Sequence, residues 1–77
     1  MKIGKIVLKD GEYFVEYSTN YGRDRKIPVF KPDSEFVEGE MVDFEIVDEF
    51  THPQLFADVS LFDGTQSAMI IKRHSNA

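Results

Sequence analysis

The sequence contains no cysteine, so neither a disulfide framework nor a thiolate zinc site can hold the fold together, and packing has to do it alone. It also lacks any long apolar run. The N-terminal stretch MKIGKIVLKDG is interrupted by Lys5 and closed by Lys9-Asp10-Gly11, too short for a signal-peptide core or a membrane span. A cytoplasmic protein with no membrane partner is therefore expected. No window carries a sustained 3.6-residue apolar period, which argues against long helices. Histidine is scarce: His52 and His74 stand alone, without the spacing of metal ligands. There is no phosphate-cradling glycine loop and no nucleophile elbow. These absences point away from an enzyme and away from any cofactor. Cations are missing from one stretch altogether, since residues 34 to 71 carry nine acidic side chains and no Lys or Arg.

What is present suits one small core. The 77 residues suffice for a single domain and not for two, and 42% of them are hydrophobic, with seven Phe and three Tyr bringing large apolar area per residue. That domain is expected over residues 1–73, followed by a frayed tail, His74 to Ala77. The net charge of −5 is unevenly placed: residues 1 to 33 hold seven Lys and Arg against five acids, and Lys72 and Arg73 follow the acidic stretch. The chain is electrically two-sided.

β-Branched and aromatic residues cluster in short runs separated by turn residues, which predicts an all-β domain. The first run is Lys2 to Lys9, and Asp10-Gly11 supplies a hairpin turn suited to right-twisted strands. In the second, Glu12 to Ser18, the residues Tyr13, Val15 and Tyr17 share the core face, while Phe14 and Glu16 point outward. A polar loop precedes a third strand, Lys26 to Lys31, whose Pro28 must face an edge or a bulge because it has no N–H to donate. The segment PDSEFVEG, with Asp33 or Ser34 as a cap, allows at most a turn or two of helix before Gly39. The clearest strand is EGEMVDFEIVDEF: Val42, Phe44 and Ile46 face the core, and Asp43, Glu45 and Val47 face outward. A fifth run spans Leu55 to Phe62, Asp63-Gly64 turns the chain, and Ala68 to Lys72 reads as a short extra C-terminal strand or a terminal cover. Five strands in barrel-like order result.

The segment FVEGEMVDFEIVDEFTHPQLFADVSLF resembles the C-terminal half of a bacterial cold-shock domain, in which L-x-EG-x-x-V-x-FEV is followed by a loop ending in Pro-Gln and then an A-x-V strand. The matching positions are Glu38-Gly39, Val42, Phe44-Glu45-Ile46, Pro53-Gln54, Ala57 and Val59, and Gly4-Lys5-Ile6 is similar to the family's G-x-V start. The likeness is best over residues 36–61. It implies a five-stranded OB-type β-barrel that binds single strands, with an SH3-like barrel as the alternative fold. The family's K-G-F-G-F-[IV] and V-F-V-H runs are only partly matched: Phe14 aligns with the second Phe, Glu12 stands at the first, Pro28 replaces an aromatic and Phe30 replaces the His.

Single-strand binding needs planar side chains for bases and cations for phosphates. Phe14 and Phe30 are expected outward and side by side, with Lys5, Lys26 and Lys31 on the same strands and Tyr21, Arg23 and Arg25 in the intervening loop. This constellation predicts weak binding of single-stranded RNA or DNA. The bland reading of the same residues is two covered phenylalanines and a solvated hairpin tip. A second functional reading is a protein-interaction module without nucleic-acid binding, using exposed aromatics such as Phe50 and Phe56 or the acidic face on a basic protein partner.

Overall fold

The computed structural model describes residues 2–57 and 66–74. Among the described residues five strands are formed, β1 (Lys2–Lys9), β2 (Glu12–Ser18), β3 (Asp24–Pro28), β4 (Met41–Val47) and β5 (Ser67–His74). They make one antiparallel sheet of order β3-β2-β1-β4-β5. The domain is all-β: no helix occurs among the described residues, and so none is long and apolar enough to cross a membrane. The edge strands β3 and β5 approach each other at one parallel bridge, Val29 with Ala68, where the Phe30 N–H donates to the Ala68 carbonyl at 2.8 Å. The sheet thus curls until its edges touch, without a continuous ladder that would close a barrel.

The β1–β2 hairpin forms where the residues ask for it. Asp10 (φ +53°) and Gly11 (φ +79°) both take left-handed backbone, the geometry of a type I′ turn, and Lys9 pairs with Glu12 across it. Strand β3 begins two residues earlier than the sequence suggests and ends at Pro28, because its pairing with β2 runs from Ser18 opposite Asp24 to Phe14 opposite Pro28. Pro28 sits on an edge strand, as its missing N–H requires. Val29 still donates to Tyr13 O of β2 at 3.0 Å while bridging to Ala68, and beyond it the chain leaves β2 for β5, with Lys31 at φ +43°.

Several expectations need correction. Residues 33–40 form no helical turn; their backbone is taken by β1 instead, through Gly39 N–H to Ile6 O and Ile6 N–H to Glu40 O, each 2.8 Å. Phe36 anchors the segment, buried edge-on against Tyr13 with ring centroids 5.3 Å apart. Val47 is buried rather than outward. The loop after β4 folds back over that face, placing His52 Nε2 3.6 Å from Glu45 Oε1. The strand expected over Leu55 to Phe62 is, in its described part, a set of turns, with Leu55 N–H on His52 O and Phe56 N–H on Pro53 O; residues 58–62 and the Asp63-Gly64 turn lie outside the described residues. The C-terminal segment is the strand rather than the terminal cover of the two expectations for it, and it is longer than expected, eight residues from Ser67 to His74. A β-bulge at Asp43/Phe44 shifts its phase against β4, so Ala-Met-Ile-Ile shows no simple alternation in the sequence. His74 belongs to this strand, its Nε2 2.6 Å from Asp43 Oδ1, and is not a frayed end; residues 75–77 lie outside the described ones.

The core lies on the concave face. Ile6, Val15, Ile27, Val42, Phe44 and Ala68 are buried there with Tyr17, Val29 and Phe36, and Tyr13, Ile46 and Ile70 pack against them. Gly4 is part of this design, since a Cβ there would lie 2.4 Å from Val15 Cγ1 and 2.9 Å from Phe44 Cε1. At that point β1 passes too close to its neighbours for any side chain.

Candidate nucleic-acid interface

Pairing register fixes what the convex face of β1, β2 and β3 displays. Side chains opposite one another in register form rows across the strands. One row is Val7, Phe14 and Pro28, all half-buried; the next is Lys5, Glu16 and Lys26. Phe14 therefore lies in an apolar stripe one residue wide, bordered by two exposed lysines. Lys5 Nζ is 3.8 Å from Glu16 Oε1 with both side chains exposed, a contact that solvent screens and a phosphate can displace.

The eight residues singled out in the sequence separate into three places. Lys5, Phe14 and Lys26 share the convex face. Tyr21, Arg23 and Arg25 stand at the β2–β3 end, around a cleft of about 580 Å³ that is also lined by Lys2, Tyr17 and Ile46. Phe30 and Lys31 belong to neither group. The Phe30 ring packs on Phe56 with centroids 4.7 Å apart, Lys31 Nζ lies 5.4 Å from the centre of the Phe30 ring, and the Phe30 backbone is bonded to β5. The expectation that Phe14 and Phe30 lie side by side is thus corrected. The physical reason is that Val29 is the last residue bonded to β2, its N–H donating to Tyr13 O at 3.0 Å, while the Phe30 N–H turns to Ala68 of β5 and the Phe30 ring is taken by Phe56.

The cleft residues arrive by register. Tyr17 pairs with Arg25 and Lys2 pairs with Phe44, so Lys2 and Arg25 occupy core-phase positions at the first turn of their strands, where the core gives way to solvent. Lys2 Nζ lies 5.9 Å from the centre of the Tyr17 ring. The β2–β3 loop is internally held: Thr19 N–H donates to Arg23 O at 2.7 Å, Gly22 N–H (φ +77°) to Thr19 O at 3.0 Å, and Arg23 N–H to Thr19 Oγ1 at 3.2 Å. Asp24 accepts from the Ser18 hydroxyl at 2.9 Å. Tyr21 projects from this loop and is 93% exposed. Lys2 and Tyr17 were not singled out as site residues in the sequence. A signal was there, because Lys2 is in phase with Gly4 and Ile6, as Arg25 is with Ile27, and a cation in core phase marks the rim of a sheet.

On the opposite side the acidic groups are largely engaged within the chain. Glu40 takes a two-pronged ion pair from Arg73, with Nη2 2.8 Å from Oε1, and also accepts the Val37 N–H; the Arg73 bond and the Val37 amide hold its carboxyl below the usual 4.5. The same pair pushes the Arg73 guanidinium up, and that guanidinium stacks 4.9 Å above Phe36. Asp48 is lowered from 3.8, first by the Thr51 N–H that its carboxylate accepts at 2.8 Å and then by the Thr51 hydroxyl at 3.0 Å. Glu49 is raised, by desolvation and by the neighbouring Asp48 charge. Asp43 is taken by His74 and Glu45 lies near His52. These contacts fasten β5 and the β4 loop to the sheet.

Comparison with known protein families, with curated proteins and with solved structures gives no match in any of the three.

Proposed function

We propose that the protein binds single-stranded RNA or DNA, weakly, across the convex face of β1, β2 and β3. The observation that carries this reading is the register of that face, which sets Phe14 between Val7 and Pro28 and borders the stripe with Lys5 and Lys26. A base stacks on Phe14, and its flanking phosphates meet the lysines. The strand then runs toward Tyr21, Arg23 and Arg25 at the β2–β3 end. Phe30 and Lys31 are left out of the interface. The strand order and the touching edges support the OB-type, cold-shock-like reading of the fold, since a partly open five-stranded barrel presents the face of its second and third strands to oligonucleotides.

The test is a titration of fluorescent oligo-dT and oligo-U at low salt. Binding is expected at micromolar protein, falling as salt rises with a shallow slope because few cations are available. Phe14→Ala is expected to remove about 1–3 kcal/mol, one stacked base. No signal change up to high micromolar protein refutes the proposal. The protein-partner reading rests on Phe50, 79% exposed in the β4 loop; it is favoured if a captured partner shifts residues 38–63 and leaves β1 to β3 unchanged.

A further inference from the structure

We infer that the cleft at the β2–β3 end is a binding site for a nucleoside monophosphate, either free or as the phosphorylated end of a strand. It is distinct from the convex face, because its floor is made by core-phase residues. Tyr17 and Ile46 supply an apolar base, and Lys2, Arg23 and Arg25 stand around the rim. Among the described residues none of these three cations forms an ion pair. The single carboxylate lining the cleft, Asp24, already accepts the Ser18 hydroxyl. Three cations against this one carboxylate leave a net charge of +2 at one concave place in a chain of net charge −5. Concavity and local charge, not the net value, set the attraction for an anion.

The aromatic component says which anion. Tyr21 covers nothing, yet the turn that carries it is fixed by three hydrogen bonds, so its ring is presented with little ordering cost on binding. A ring beside guanidinium groups suits a planar base joined to a phosphate: the base stacks on Tyr21 and the phosphate takes the forked donors of Arg23 and Arg25. The cleft's volume of about 580 Å³ exceeds what a bare phosphate needs and lies in the range of small-ligand sites. Asn20, also in the lining, offers both a donor and an acceptor to a base edge. That combination favours a nucleotide over a phosphorylated tyrosine side chain, which has no polar ring edge beyond its phosphate.

Only the strand-end source rests on the proposed nucleic-acid binding; the site for the free nucleotide stands without it. The experiment is an amide chemical-shift titration of the full chain with AMP, adenosine and phenyl phosphate, and with oligo-dT with and without a 5′-phosphate. AMP is expected to shift Lys2, residues 19–25 and Ile46, with adenosine weaker by roughly tenfold or more. Arg23→Ala/Arg25→Ala is expected to weaken AMP by a similar factor, Arg25→Lys to weaken it less, and Phe14→Ala to leave it unchanged. A gain from the 5′-phosphate assigns the site to strand ends, and AMP binding without that gain assigns it to free nucleotide. No shift at those residues up to roughly 10 mM AMP overturns the inference. So does an equal response to adenosine or to phenyl phosphate. If AMP behaves as expected while Phe14→Ala leaves oligo-dT binding intact, the convex-face reading fails and the cleft stands.

Discussion

Replacing Gly4 by alanine adds one methyl group at the closest approach in the core. The new Cβ would meet Val15 Cγ1 at 2.4 Å, Phe44 Cε1 at 2.9 Å and the Glu16 carbonyl oxygen at 3.0 Å. None of these can withdraw cheaply. Val15 and Phe44 are fully buried, Phe44 is further held by Tyr17 with ring centroids 5.2 Å apart, and the carbonyl belongs to β2, on which β1 pairs. Overpacking of a tight core costs about 1–3 kcal/mol, and a contact this short belongs in the upper half of that range. The unfolded chain returns about 0.5 kcal/mol, since alanine has fewer conformations to lose than glycine. The net loss is about 2 kcal/mol, which in a domain of this size lowers Tm by roughly 8–16 °C. Thermal and urea unfolding followed by circular dichroism measure it directly. Gly11→Ala is the comparison, because its Cβ meets nothing within 4 Å and only the left-handed φ of +79° is strained, at about 1 kcal/mol. Pairing Gly4→Ala with Val15→Ala removes the worst contact, so the double variant is expected to lose less than the sum of the two single losses. A Gly4→Ala protein as stable as the parent, or more so, would refute the packing described for β1 against β2 and β4.

Other perturbations separate structure from binding. Phe30→Ala, which loses the packing against Phe56, is expected to cost about 1.5–2.5 kcal/mol of stability, half of the value for a fully buried Phe, while leaving oligo-dT affinity unchanged. Phe14→Ala, equally half-buried, is expected to cost stability too but also to lower oligo-dT affinity, so the titration distinguishes the two. Arg73→Lys keeps a charge but loses the fork to Glu40 and the flat stack on Phe36, so its Tm is expected to fall, and Arg73→Gln to fall further. The acid limb follows from Glu40 and Asp48, both held below their ordinary values in the folded state. Their contribution is complete above pH 4.5 and 3.8 respectively and is lost as pH falls through the lower folded values. Tm measured against pH is expected to drop on acidification, and less steeply in Glu40→Gln; Glu49, whose carboxyl is raised, opposes the trend.

The strand pattern read from the sequence holds where local chemistry decides. Asp10-Gly11 selects its turn, alternation sends Val15 and Tyr17 inward, and Val42 and Phe44 declare the core face of β4. Each of these needs only neighbours in the chain. The sequence reading failed where a distant partner takes over. Gly39 and Glu40 lend their backbone to Ile6, which removes the donors and acceptors a helical turn would use. The bulge opposite Phe44 erases the alternation of β5, so the sequence left a short strand and a terminal cover as equal readings of the segment that completes the sheet.

The candidate site divides along the same line. That Phe14, Lys5 and Lys26 face away from the core was legible in the sequence by itself, because strand period is a local property, and so was the loop that holds Tyr21 and Arg23. Arg25, expected in that loop, belongs instead to β3, paired with Tyr17. Tertiary structure decided which of them meet. Leaving β2 after Val29 carried Phe30 away to Phe56 and β5, and pairing β1 with β4 brought Lys2 beside Tyr17 at the rim of the cleft. Register between strands far apart in the chain is set by burial of Phe44, Val15 and Ile6 together. No window along the sequence contains all three.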